Sequence, residues 1–282
     1  MNFLLTAIIT MCAIGLVAAI ILYFCSKKFA VEEDPRLPIV NELLPGANCG
    51  GCGFAGCSGM AAALIKGADN GSIEGLNCPV GGSEVMTKIA EQLGLSISET
   101  KQKVAVVRCN GNCEQRQKIN DYNGLMQCSA MNACGMGESG CGYGCLGCGD
   151  CVSVCQFDAI KIDSETMLPV VDVDKCSGCG SCVKQCPRNI IELRAKRPKN
   201  RIIYVSCVNH DKGPIAMKAC KNACIGCSKC QKECSFEAIT ISGNLSYIDD
   251  DKCRLCRKCE SVCPTHAIIA KNFPPRKTTV EL

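Results

Sequence analysis

Between Cys145 and Cys155 the chain reads CLGCGDCVSVC, and the same spacing, C-x2-C-x2-C-x3-C, returns three times. It is CSGCGSCVKQC from Cys176 to Cys186, CIGCSKCQKEC from Cys224 to Cys234, and CRLCRKCESVC from Cys253 to Cys263. The 282 residues hold 29 cysteines, no Trp, five Tyr and seven Phe. Counted with cysteine the chain is 47% hydrophobic, and without it only about 37%, thin for a globular core. Disulfides or metals normally supply what such a core lacks. A disulfide scaffold is a poor fit, because such chains are short and secreted and do not crowd cysteines two residues apart. Closed zinc sites use two separated C-x2-C pairs rather than three cysteines at repeated x2 intervals. Iron and sulfide remain.

In two-cluster ferredoxins the first three cysteines of such a run hold one cluster and the fourth reaches across to its neighbour, so the runs work in pairs. The spacing therefore predicts one [4Fe-4S] cluster on Cys145, Cys148, Cys151 and Cys186, and a second on Cys176, Cys179, Cys182 and Cys155. It predicts two more on Cys224, Cys227, Cys230 with Cys263, and on Cys253, Cys256, Cys259 with Cys234. FDAIKI (157–162) and LPVVDV (168–173) read as short strands around a turn, and FEAITI (236–241) and LSYID (245–249) repeat them. Cys145 and Cys155 each recur 79 residues later, as Cys224 and Cys234, the mark of a duplicated module. Proline follows the fourth cysteine at Pro187 and Pro264 but not in runs one and three, where Gln156 and Ser235 stand.

Upstream lies a different unit. NCGGCGFAGCS (48–58) spaces Cys49, Cys52 and Cys57, with Cys78 after twenty intervening residues, and four thiolates suffice for a fifth cubane. Two helices flank this loop by pattern. One runs over 58–66, capped by Ser58 and stopped at Gly67; the other runs over 83–93 and stops at Gly94. Gly51, Gly53 and Gly56 spell G-x-G-x-x-G, as do Gly142, Gly144 and Gly147. Both are interleaved with cysteines and lack the strand–helix context of a dinucleotide site. No direct NAD or flavin site is expected.

The N-terminal stretch from Phe3 to Cys25 has no charge over 23 residues, long enough for one transmembrane helix. Lys27 and Lys28 follow it, which predicts a single-pass anchor in the plasma (inner) membrane with the cluster domains on the cytoplasmic side. The boundaries expected are an anchor (1–26), a linker (27–40), an N-terminal 4Fe-4S domain (41–98), ferredoxin module 1 with a cysteine-rich lead-in (99–198), ferredoxin module 2 (199–271) and a tail (272–282). The fold class is α+β.

Seven cysteines outside the anchor belong to none of these sets. A sixth cluster on Cys109, Cys113, Cys128 and Cys141 is one reading, and buried thiols are the other. Cys134, Cys207 and Cys220 have no assigned role, although Cys141 and Cys220 again lie 79 apart and Cys109 resembles Cys207 in context. The formal charge of +4 conceals net −6 over 31–100 and net +8 over 101–282. Part of the basic excess offsets cluster charge. Arg194, Lys196, Arg197 and Lys199 could instead dock an acidic redox partner. Nucleic acid is not an expected partner, since aromatics are not interleaved with the basic residues.

One anchor, the loop around Cys49, Cys52, Cys57 and Cys78, and tandem ferredoxin motifs together resemble the B subunit of the Rnf complex over essentially the whole chain. That resemblance implies an electron-transfer subunit of a membrane-bound ferredoxin:NAD+ oxidoreductase that translocates Na+ or H+. It would take electrons from reduced ferredoxin and relay them to the other Rnf subunits. Short members of the family carry one ferredoxin pair, so this chain resembles the longer form. The competing readings are the iron–sulfur subunit of another membrane reductase or hydrogenase, and a structural zinc or scaffold protein.

Overall fold

The computed structural model describes residues 2–28, 34–73, 75–95 and 102–275. It divides into two compact units, 1–39 and 40–282.

In the first unit, α1 (Asn2–Lys28) is a single apolar helix of 27 residues, about 40 Å long at 1.5 Å per residue. From Leu5 to Lys28 its mean hydropathy is 2.7, and none of it is buried in protein. Its length and composition fit one membrane span. Cys12 and Cys25 are exposed on it. Within the stretch 27–40, α2 (Arg36–Leu43) begins. Asp34 starts that helix: its carboxylate accepts from Arg36 N–H at 2.8 Å. Pro38 falls in the first turn, where a missing N–H costs nothing.

Beyond α2, the second unit holds α3 (Cys57–Asp69) and α4 (Gly82–Gln92). Met60, Ala61, Leu64 and Ile65 are buried along one face of α3, and Met86, Ile89 and Ala90 along α4. Ser58 does not cap α3; the amide of Cys57 is instead bound by Asn48 Oδ1 at 2.7 Å. Gly67 does not stop the helix either, which continues for two more residues to Asp69. Gly94 does stop α4, with φ +71. Leu95 N–H reaches Ala90 O and Gly94 N–H reaches Glu91 O, closing a Schellman motif.

The two modules repeat one plan. Module 1 contains β1 (Lys103–Val107), α5 (Cys128–Cys134), α6 (Asp150–Ser153), β2 (Ile160–Ile162), β3 (Pro169–Val171), α7 (Ser181–Gln185) and β4 (Ile191–Ala195). Module 2 contains β5 (Ile202–Val205), α8 (Gly213–Ala219), α9 (Lys229–Glu233), β6 (Ile239–Ser242), β7 (Leu245–Ile248), α10 (Lys258–Ser261) and β8 (Ile268–Lys271). The hairpins β2–β3 and β6–β7 are those read from the sequence, with Ile160 opposite Val171 and Ile239 opposite Ile248. Each module is closed by a second antiparallel pair that local pattern did not reveal. Lys103 faces Ala195 across β1–β4, and Ile202 faces Lys271 across β5–β8.

The closing strands also join the modules. On β1, Ala105 and Val107 enter the core of module 1, while Val104 and Val106 meet Ile202 and Tyr204 of β5. Ile203 and Val205 turn the other way, into the core of module 2. Both faces of these strands are buried, which explains their unbroken apolar runs.

Arg194 belongs to this seam and not to a docking surface, a correction to the sequence reading. It is 2% exposed, pairs with Glu192 at 2.6 Å and donates to Ile248 O at 3.0 Å. Arg108 takes the other oxygen of Glu192 at 3.2 Å and donates to Val205 O and Cys207 O. Tyr247 lies near both guanidinium groups, at 5.1 and 5.2 Å from its ring centroid. Arg197 also turns inward, to Asp250 O, and Lys196 Nζ reaches Val173 O at 3.4 Å. Of the four, Lys199 alone is exposed.

Breaking a buried ion pair by removing one partner costs about 3 kcal/mol. Glu192→Gln is accordingly expected to lower the unfolding free energy of the loaded protein by about that much. Lys199→Gln should leave it unchanged. Anaerobic thermal unfolding of both variants measures the difference.

Candidate metal centres

Each cysteine run folds through the same left-handed backbone positions. The residue before the second cysteine has positive φ in all four runs: Gly147 (+79), Gly178 (+72), Gly226 (+63) and Leu255 (+57). So has the residue after it: Gly149 (+87), Gly180 (+79), Ser228 (+62) and Arg257 (+66). A third position, three residues past the fourth cysteine, holds Asp158, Asn189, Glu237 and His266. His266 is therefore a turn residue, exposed to solvent. Gly178 is fixed by space as well as by φ, since a Cβ there would stand 2.3 Å from Lys103 O. Amides of adjacent strands, and of the turn at Leu255, point at sulfur. Cys176 Sγ accepts from Ala105 N–H, Cys224 Sγ from Ser246 N–H and Cys253 Sγ from Leu255 N–H, each at 3.5 Å. Cys78 Sγ accepts from Gly81 N–H at 3.4 Å.

The thiols gather around separate voids of similar size. Cys49, Cys52, Cys57 and Cys78 line one of about 310 Å3, open solvent at its mouth included. Cys224, Cys227, Cys230 and Cys263 line another of about 340 Å3, and Cys234, Cys253, Cys256 and Cys259 a third of about 320 Å3. Both fourth-cysteine crossovers in module 2 are thus present as geometry. In module 1, Cys145, Cys151 and Cys186 line a void of about 380 Å3. Its remaining cysteine is Cys128, while Cys148, beside Cys128, directs Sγ to Leu146 O at 3.8 Å. Cys182 lies within the electrostatic reach of Cys176, Cys179 and Cys155.

The expected sixth set is not assembled as read from the sequence. Cys109 and Cys141 come together, but with Cys207 and Cys220, around a void of about 350 Å3. Cys113 is exposed, with Sγ 3.8 Å from Thr166 O. Cys128 is held at run one because Asp150 caps α5, accepting from Cys128 N–H at 2.8 Å and Ser129 N–H at 3.1 Å. Cys134 stands beside Tyr122. The 79-residue interval from Cys141 to Cys220 was the available signal. The interval of 32 positions from Cys109 to Cys141, against 13 from Cys207 to Cys220, obscured it.

Burial pushes the thiols up: Cys145, Cys182 and Cys259 to about 12 and Cys151 to about 11. Without iron they stay neutral, so binding metal must release protons. Among the described residues no three His, Cys, Asp or Glu side chains converge as a single metal ion requires. A cubane spreads its ligands over the corners of a larger object, and soft thiolates with N–H donors are the donor set it takes. Neither G-x-G-x-x-G match follows a strand; both lie in these loops.

This architecture defines a tandem two-cluster [4Fe-4S] protein with an additional N-terminal iron–sulfur domain. Models described as "4Fe-4S dicluster domain" match residues 142–193 and 223–267, and one described as "Putative Fe-S cluster" matches 44–71. The chain is 45% identical over 255 residues, 90% of its length and 74% of the relative's, to the B subunit of the Na(+)-translocating ferredoxin:NAD(+) oxidoreductase complex of Acetobacterium woodii. It is 39% identical to the B subunit of the ion-translocating oxidoreductase complex of Methanosarcina acetivorans, over 94% of this chain and 97% of that one. It is 37% identical to the B subunit of the proton-translocating ferredoxin:NAD(+) oxidoreductase complex of Clostridium ljungdahlii, over 96% and 93%. The chain belongs to the family of B subunits of ion-translocating oxidoreductase (Rnf) complexes.

The two module 1 thiols that compete for one cluster can be separated by iron analysis. Cys148 occupies the run position that Cys227 fills in module 2, so Cys148→Ser is expected to lose about four irons and Cys128→Ser none. The reverse result would make Cys128 the ligand.

Proposed function

We propose that this chain takes electrons from reduced ferredoxin and relays them through [4Fe-4S] clusters to the membrane subunits of an ion-translocating ferredoxin:NAD+ oxidoreductase. The observation that carries the reading is the set of four-cysteine voids extending from the N-terminal domain into the far module, in a chain of this family. The twenty motif cysteines hold five clusters, paired as the spacing dictates. The transfers are one-electron and leave bonds intact, so the protein acts through burial, charge and N–H···S bonds on potential. Hydride transfer and ion movement fall to partner subunits, because α1 carries no charge across its apolar span. Lys27 and Lys28, at its C-terminal end, favour cluster domains on the cytoplasmic side.

The N-terminal domain meets module 1 at a close backbone contact. A Cβ on Gly51 would stand 2.5 Å from Cys179 O, and Lys184 Nζ reaches Gly50 O at 3.4 Å. The N-terminal cluster thus adjoins the run-two cluster, at the end nearest the anchor in sequence. The opposite end is run four, where Cys256 is exposed among exposed Lys252, Arg254 and Lys258. A basic rim beside an exposed cluster suits an acidic donor. This end, rather than the stretch around Arg194, is the proposed ferredoxin dock.

Arg254→Glu with Lys258→Glu is expected to slow reduction by ferredoxin about tenfold at low ionic strength, and much less at high salt. Stopped-flow reduction of the loaded chain reads this out, with iron content as the control. An equal rate at low salt would move the dock elsewhere.

A further inference from the structure

The twenty motif cysteines leave a break in the relay. Module 1 and module 2 each carry the cysteines of one pair of clusters, and the only link between the pairs that the motif cysteines suggest is Cys176, packed at the seam beside Ile202 and Tyr204. The void formed by Cys109, Cys141, Cys207 and Cys220 lies at that break. Cys109 and Cys141 come from module 1, Cys207 and Cys220 from module 2, so each repeat supplies two thiols.

The site is knitted by contacts that cross the seam. Asn110 N–H donates to Ser206 O at 3.1 Å, and Lys221 N–H to Gln115 O at 3.0 Å. Asn222 Nδ2 donates to Asn110 O at 3.0 Å. Every sulfur has an N–H donor. Cys145 N–H reaches Cys109 Sγ and Asn209 N–H reaches Cys207 Sγ, both at 3.4 Å. Asn222 N–H bonds Cys220. The Asn209 amide, 1% exposed, places Nδ2 3.7 Å from Cys141 Sγ. A neutral thiol is a weak acceptor, whereas a metal-bound thiolate gains from each such donor. Arg116 lines the same void; its Nη1 donates to Cys145 O, while its buried Nε has no partner among the described residues, which puts a cation beside the four sulfurs.

We propose that Cys109, Cys141, Cys207 and Cys220 bind a sixth [4Fe-4S] cluster that bridges the two ferredoxin modules. The void, about 350 Å3, matches the 310–380 Å3 of the other four voids described. Its neighbours are the first cysteines of run one and run three: Cys145 N–H bonds Cys109, and Cys224 N–H bonds Cys207. The relay then reads run four, run three, bridge, run one, run two, N-terminal domain. With clusters bound, one electron at a time would pass from the run-three cysteines to the bridge and on to run one, each donor oxidised as its acceptor is reduced. The role as a bridge rests on the electron-relay reading; the metal site does not.

The test is iron and acid-labile sulfide on the full chain, purified anaerobically in detergent and reconstituted with iron and sulfide. Six clusters give about 24 irons per chain and five about 20. About 24 is expected, falling to about 20 in Cys207→Ser/Cys220→Ser and unchanged in Cys113→Ser. About 20 in the unsubstituted chain, zinc in place of four irons, or a double variant that keeps all 24 would overturn the site. The count on the unsubstituted chain decides even where the double variant fails to fold. Asn209→Ala then locates the site without removing a ligand, because it should shift the midpoint of one EPR-active cluster and leave the iron count at about 24. No shift at any cluster would count against the assignment. A full count in a chain that ferredoxin does not reduce would sink the donor reading and leave the bridge. A count of 20 with rapid reduction would do the opposite.

Discussion

A buried thiolate is stable only with metal on one side and hydrogen-bond donors on the other, and this requirement shapes nearly every loop in the chain. Four sulfurs must converge while backbone amides turn toward them, which forces left-handed turns around the second cysteine of each run. Where the sequence offers glycine, at 147, 149, 178, 180 and 226, the turn costs little. Ser228, Leu255 and Arg257 adopt the same conformation without that freedom. The local fold therefore follows cluster geometry rather than propensity.

The same requirement accounts for the sparse aromatic content. The centres of the modules are mixed clusters of cysteine and aliphatic residues. Cys145, Cys151 and Cys182 lie among Ala105, Ile160 and Ile191, and Cys224, Cys230 and Cys259 among Ile203, Ile239 and Ile268. Metal joins strands, loops and short helices that could not enclose a conventional core by themselves. Helices of four or five residues, such as α6, α9 and α10, have no independent stability and persist because their cysteines are held.

Duplication alone would give two modules on a tether. The seam fixes their relation through strands buried on both faces and through the Arg108–Glu192–Arg194 group against Tyr247. Electron tunnelling falls off steeply with distance, so a relay needs its clusters held at constant separation, and a rigid seam serves that end. The Cys109–Cys207 region lies on this seam, and each thiol there belongs to a different segment.

Cluster spacing was legible in the sequence because three cysteines of a run act within seven residues, and the fourth follows a repeat that numbering alone reveals. The hairpins beside the runs were legible for the same reason, as was the apolar helix, whose length is set by composition. Ser58 and Gly67 misled because Asn48, nine residues ahead of Cys57, does the capping. The closing pairs β1–β4 and β5–β8 left no local trace, since their partners lie at opposite ends of each module. Arg194 carries no mark that separates a solvated cation from one bound to Glu192 under a second module. The chemistry of the chain is written in its linear order, because ligand type and spacing are local properties of the polymer. Which distant cysteines meet and which charges face water follow from the folded chain alone, because both depend on strand pairs closing over about 60 to 90 residues of intervening chain.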